Sequence, residues 1–309
     1  MTLWWIFFAV FILLMLTLDL AVFSHRAHTV NIKESLYWTS FWIVLALLFC
    51  AGVYFFYGHL KALEFFTGYL IEYSLSVDNL FVFLLFFCYF SVPAEYEQKS
   101  LIWGIIIALI MRGIFIFAGI ALINKFHWII YVFGAFLIFT AIQIAWGKEQ
   151  EVHPEKNIMI KLLRILMPIS HEYSGGKLFT VKKGKRFATP LLVVILVLGT
   201  TDVFFAVDSI PAVLAVTTDP FIVYTSNVFA VLGLRSLFFA ISGLMKLFHY
   251  LQYGLAVILG FVGIKMLITD FYQIQVSVSL IIIAIVLALS IIASLRWPYK
   301  QEQTIVKEE

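Results

Sequence analysis

Nine apolar stretches run through this chain, at 3–23, 38–58, 67–91, 100–123, 127–147, 190–216, 221–245, 250–269 and 275–295. Each is long enough to cross roughly 30 Å of hydrocarbon as a helix. Lipid offers no hydrogen bonds, so every backbone N–H and C=O in such a stretch must find its partner inside the segment, which leaves the α-helix as the natural solution. The expected fold class is therefore an all-α polytopic membrane protein with about nine transmembrane helices. Composition agrees: of 309 residues, 63% are hydrophobic and only 13% charged, too few polar groups to clothe a water-soluble domain of this size. Cys50 and Cys88 each stand alone in an apolar run, so neither a disulfide framework nor a cysteine metal site is expected. The first stretch lacks a basic leader and reads as a retained helix.

Lysine and arginine decide the expected orientation, because short cytoplasmic loops are enriched in them. With the N-terminus outside, sixteen basic residues fall on the cytoplasmic side, nine of them in the 148–189 loop. Only Lys61 and Lys125 fall outside, and Arg112, Arg235 and Lys265 lie within spans, which accounts for all 21. The C-terminus is then cytoplasmic. Within the loop, 161–167 would be amphipathic as a helix and Lys182-Lys183-Gly184-Lys185-Arg186 is strongly basic, which suits contact with anionic headgroups. Nucleic acid is not an expected partner.

An internal repeat links the two halves. A shift of 130 residues lays Glu72-x5-Asp78-Asn79 on Asp202-x5-Asp208-Ser209, a shift of 123 lays Met111-Arg112-Gly113 on Leu234-Arg235-Ser236, and a shift of 122 lays Phe126-His127 on Phe248-His249. Each unit holds three spans, and an odd number forces the copies into opposite orientations, the inverted-repeat plan of many secondary transporters. The expected organisation is two peripheral helices over 1–58, repeat 1 over 59–147, the basic loop over 148–189, repeat 2 over 190–270, and a last helix with its tail over 271–309.

Eight ionisable residues fall within or at the ends of spans: Asp19, Glu72, Asp78, Asp202, Asp208, Arg112, Arg235 and Lys265. At about 3 kcal/mol per central charge such a set is roughly 20 kcal/mol unfavourable unless the groups face one another or water. The arginines are expected to neutralise carboxylates or to line a pathway. On a straight helix Glu72 aligns with Asn79 and Asp202 with Ser209, whereas Asp78 and Asp208 are turned about 120° away. Ser74, Ser76, Gly199 and Pro211 suggest local unwinding that would bring them back. Carboxylates, an amide, hydroxyls and freed carbonyls form an oxygen shell suited to Mn²⁺, Mg²⁺ or Ca²⁺. The candidate metal residues are thus Glu72, Asp78, Asn79, Asp202, Asp208 and Ser209. The seven histidines fall at span ends or in loops, and no phosphate loop, nucleophile elbow or metalloprotease signature is present, so the chain does not read as an enzyme.

The segments Glu72-Tyr73-Ser74-Leu75-Ser76-Val77-Asp78-Asn79-Leu80-Phe81-Val82 and Thr201-Asp202-Val203-Phe204-Phe205-Ala206-Val207-Asp208-Ser209-Ile210-Pro211-Ala212 resemble those of the TerC family of integral membrane proteins. So do Leu18-Asp19-Leu20-Ala21-Val22-Phe23 and Thr225-Ser226-Asn227-Val228-Phe229-Ala230-Val231-Leu232-Gly233-Leu234-Arg235. The likeness covers roughly 15–295 and is nearest to the Alx-like bacterial members. It implies a bacterial inner-membrane protein tied to manganese export and to metal or tellurite resistance, with Asp19 and Asn227 joining the candidate residues along the pathway beside Arg112 and Arg235.

Residues and resemblance together lead to an exporter of a divalent cation, Mn²⁺ foremost, with protons entering in exchange. The metal is its substrate and no resident cofactor is expected. Two rivals stand beside it. One is a non-transporting membrane factor that helps insert or metallate other proteins, which an arginine-neutralised core would favour. The other is a carrier of a small organic cation, which would need Tyr73, Phe204 and Phe205 as a cage.

Overall fold

The computed structural model describes residues 2–24, 32–126, 128–146, 167–170, 172–182, 185–242 and 250–296, with positions 160 and 163. Among them are nine α-helices: α1 (Thr2–Ser24), α2 (Ile32–Tyr57), α3 (His59–Tyr89), α4 (Ala94–Lys125), α5 (Ile129–Ala145), α6 (Pro190–Leu214), α7 (Pro220–Ser242), α8 (Leu251–Leu267) and α9 (Val276–Arg296). The protein is an all-α membrane protein. Five helical segments are long and apolar enough to cross a bilayer, namely Lys33–Tyr57, Ala94–Lys125, Pro190–Leu214, Pro220–Ala240 and Val276–Arg296. Trp4–Met15, Ile129–Ala145 and Tyr253–Leu267 are shorter apolar helices. Of the basic loop, the stretch 161–167 lies almost wholly outside the described residues. So do six of the histidines: His25, His28, His127, His153, His171 and His249.

The helices start where capping chemistry allows. Thr189 caps α6, its hydroxyl oxygen accepting from Leu192 N at 3.5 Å, and Pro190 follows at the first helical position, where its missing N–H costs nothing. Asp219 does the same for α7 ahead of Pro220, its Oδ1 accepting from Phe221 N at 3.0 Å. The expected unwinding around the repeated acids does not occur. Both α3 and α6 run unbroken through their acidic motifs. Pro211 lies inside α6, three residues from its end, and its carbonyl accepts from Ala215 N.

Six helices build the centre. α3 packs on α7 and α4 on α6, α5 packs on α8, and α3 with α6 and α4 with α7 make the crossings between these pairs. The α5–α8 pairing brings backbone against backbone: a Cβ on Gly263 would stand 2.7 Å from the Gly134 carbonyl oxygen, so the two backbones touch only because both residues are glycine. α2 lies against α3 and α7, and α9 against α8 and α3. Aromatic rings fill the seam around α2, with Phe49 4.8 Å from Phe229 and 5.2 Å from Phe65 between centroids, and Phe8 of α1 at 6.1 Å from Phe229.

A feature the sequence reading left inside a loop is a small antiparallel hairpin, β1 (Phe179–Lys182) with β2 (Lys185–Ala188), paired Phe179 with Ala188 through Lys182 with Lys185.

Candidate cation site in the helix core

Arg112 lies in the middle of α4 because the buried positions Leu101, Gly104, Ala108, Arg112, Ile116, Gly119 and Ile123 form one stripe at helical spacing, and the arginine occupies a place on it. It is wholly buried. Its guanidinium forks onto Asp202 of α6, with Nε donating to Oδ2 at 2.8 Å and Nη2 to Oδ1 at 2.9 Å. Nη1 donates to Glu72 Oε1 of α3 and, at 3.4 Å, to Asn227 Oδ1 of α7. Four helices thus meet at one side chain. Ser76 adds a hydrogen bond to Glu72 Oε1 at 3.3 Å.

Among the described residues that meet there, one guanidinium faces two carboxylates, a formal −1 in a core of low dielectric, where unpaired charge costs several kcal/mol. Glu72 Oε2, Asn227 Nδ2 and Ser209 Oγ are buried and without hydrogen-bond partners among the described residues.

Asp208 is elsewhere. Asp202 sits on the buried stripe of α6 with Leu198, Ala206 and Ser209, but Asp208 lies off it and is only half-buried, accepting instead from Thr140 Oγ1 of α5 at 3.2 Å. The 120° separation expected of a straight helix is what the structure has. Among the described residues no three His, Cys, Asp or Glu side chains converge as metal ligands. The physical reason is Arg112, which occupies the space between Glu72 and Asp202. Asn79 is buried on α3 and Arg235 on α7, while the side chains of Asp19 and Asp78 lie outside the described residues. Phe204 is 63% exposed, so it does not close an aromatic cage around the acids.

Sequence reasoning missed two polar clusters. Thr140 is a lone hydroxyl in an apolar helix and carries no pattern. At the opposite end of α3 from Tyr89, Lys61 Nζ bridges Glu64 Oε2 at 2.8 Å and Asp219 Oδ2 at 3.1 Å, and Thr217 Oγ1 donates to the same Glu64 oxygen at 2.7 Å. The three-residue spacing of Lys61 and Glu64 was the available signal. Those side chains, with Thr218, Thr269 and Lys265, line a cavity of about 550 Å³ at the α6–α7 turn.

The profile described as "Integral membrane protein TerC family" matches residues 57–303, which span both acidic motifs and every helix from α3 to α9. The chain belongs to the TerC family. Relatives in that family are similar over nearly their full length. "Uncharacterized membrane protein STKORF319" of Myxococcus xanthus is 50% identical, with 94% of this chain and 91% of the relative covered. "Putative membrane-bound redox modulator Alx" of Salmonella typhi is 45% identical over 93% of this chain and 92% of its own, and the protein of the same name in Escherichia coli strain K12 is 43% identical over 97% and 96%. No solved structure matches the chain.

Proposed function

We propose that this TerC-family protein exports a divalent cation, Mn²⁺ foremost, across the bacterial inner membrane in exchange for entering protons. The observation that carries the reading is that, among the described residues, one guanidinium at Arg112 holds two buried carboxylates and leaves Glu72 Oε2 without a donor. A buried carboxylate oxygen with no donor is costly to maintain for stability alone. A cation that visits the Glu72–Asp202 pair in another conformation would meet that charge, with Arg112 holding the acids when the cation is absent. Oxygen donors from Glu72, Asp78, Asn79, Asp202, Asp208 and Ser209 suit a hard cation. Asp208, bonded to a neutral threonine, is the carboxylate best placed to carry a proton.

The packing supports an inverted repeat. Exchanging α3, α4 and α5 for α6, α7 and α8 carries the α3–α7 packing into the α4–α6 packing and returns α5–α8, α3–α6 and α4–α7 onto themselves. Nine spans with the N-terminus outside complete this reading, and they place the Lys61 cluster at the outer mouth.

A second reading has its own support. The closed Arg112–Asp202 fork is what a structural ion pair looks like, as a non-transporting membrane factor would use it, and the Alx relatives carry a name that speaks of redox modulation. Dithiol chemistry within one chain does not serve that name: Cys50 lies beside the start of α3, its thiol 3.5 Å from the Ala62 carbonyl, and Cys88 lies 26 residues further along the helix, about 39 Å away.

The test is thermal unfolding of purified protein with Mn²⁺, Mg²⁺, Ca²⁺ and Zn²⁺. Stabilisation by Mn²⁺ that is lost in Asp208→Asn supports export. No metal response in the native chain supports the structural factor.

A further inference from the structure

The segment ahead of α6 is fastened to the turn between α3 and α4. Tyr173 donates to the Phe90 carbonyl at 2.9 Å, its ring stacks on Tyr96 at 5.7 Å, and Lys99 Nζ donates to the Gly176 carbonyl at 2.6 Å. Burial pushes the Tyr173 phenol up to about 12, so it remains a donor at physiological pH. The β1–β2 hairpin projects from this base. Its register places Phe179, Val181, Arg186 and Ala188 on one face. Ala188 is buried, yet Phe179 is 49% and Val181 65% exposed. A two-stranded hairpin is marginal by itself, and showing its apolar side chains to water would weaken it further.

Its position supplies the partner. Ala188 is one residue from the Thr189 cap of α6. The 25 residues of α6 rise about 37 Å, more than the roughly 30 Å of hydrocarbon, so its first turn lies in the headgroup layer. Two further strand residues add about 7 Å, which keeps Phe179 and Val181 within about 10 Å of that turn however the hairpin tilts. The charge is complementary: Lys177, Lys182, Lys183, Lys185 and Arg186 occur with no acidic residue between Glu172 and Asp202. Basic residues beside exposed apolar ones are the chemistry of an element that lies on an anionic bilayer. We propose that the β1–β2 hairpin docks on the anionic headgroups of the protein's own membrane, with Phe179 and Val181 inserted below them.

A nitroxide on Val181→Cys, in a Cys50→Ala/Cys88→Ala background, tests this in nanodiscs of phosphatidylcholine alone or mixed with phosphatidylglycerol. The expected result is a several-fold rise in collision with oxygen relative to a nickel chelate when phosphatidylglycerol is present. Lys182→Gln/Lys185→Gln/Arg186→Gln should erase the difference between the two lipids. Phe179→Cys repeats the measurement if Val181→Cys does not fold. A label that behaves as in water in both lipids overturns the proposal, as does one immobilised only when a soluble polyglutamate is added, which would mark a protein partner.

Discussion

Arg112 and Asp202, 90 residues apart in sequence, meet in a two-point fork at 2.8 and 2.9 Å that ties α4 to α6. The geometry is bidentate, which lysine cannot reproduce. Arg112→Met should therefore destabilise the protein by about 3–5 kcal/mol, because it strands two buried carboxylates. Chemical unfolding in detergent measures the loss. Adding Glu72→Gln and Asp202→Asn to the same chain should return most of it, and a triple variant as unstable as the single one would mean that shape, not charge, is at stake.

Asp208 should behave differently from Asp202. No salt bridge to Asp208 occurs among the described residues, and its hydrogen bond comes from the neutral Thr140 hydroxyl. Asp208→Asn is then expected to change stability by no more than about 1 kcal/mol while removing metal-linked activity, whereas Asp202→Asn should lose both. Equal destabilisation by the two substitutions would contradict the separation of their roles.

The helix signal in the sequence was strong and the polar detail weak. The stretch 127–147 became α5 at Ile129–Ala145 and 250–269 became α8 at Leu251–Leu267, since a long apolar run in lipid leaves the backbone little choice. Helical angle alone foretold that Asp208 would turn away from Asp202, and the structure kept that angle where unwinding had been expected. Which acids Arg112 would take was not legible: Glu72 and Asp202 are 40 and 90 residues away, and such a choice depends on how helices cross. The hairpin was hidden by its basic residues, which read as a topological signal before they read as strands.

The α5–α8 contact depends on the absence of side chains. Gly263→Val should separate the helices, because the nearest obstacle to a Cβ is the Gly134 carbonyl oxygen at 2.7 Å, which is backbone and cannot rotate away. Overpacking of this kind costs about 1–3 kcal/mol, and a fall in Tm of the purified protein reads it out. An unchanged Tm would show that the pair is not closely docked in the membrane.

Orientation has a direct check. Thr218→Cys, beside the Lys61–Asp219 bridge, should react with an impermeant thiol reagent in intact cells, and Lys177→Cys, ahead of the hairpin, should be protected until the membrane is opened. The reverse pattern would place the basic loop outside and undo the charge-based topology.

Export of a divalent cation from a negative interior costs about 4.6 kcal/mol per 100 mV, so the process needs a driving ion. The most direct measurement is Mn²⁺ movement in proteoliposomes under an imposed pH gradient. The account predicts uphill Mn²⁺ flux with protons moving the other way, and no Mn²⁺ flux in Asp208→Asn. Uphill flux that persists with the pH gradient collapsed and the potential clamped at zero would contradict proton exchange. No Mn²⁺ flux at all from a folded, correctly inserted protein would contradict export itself.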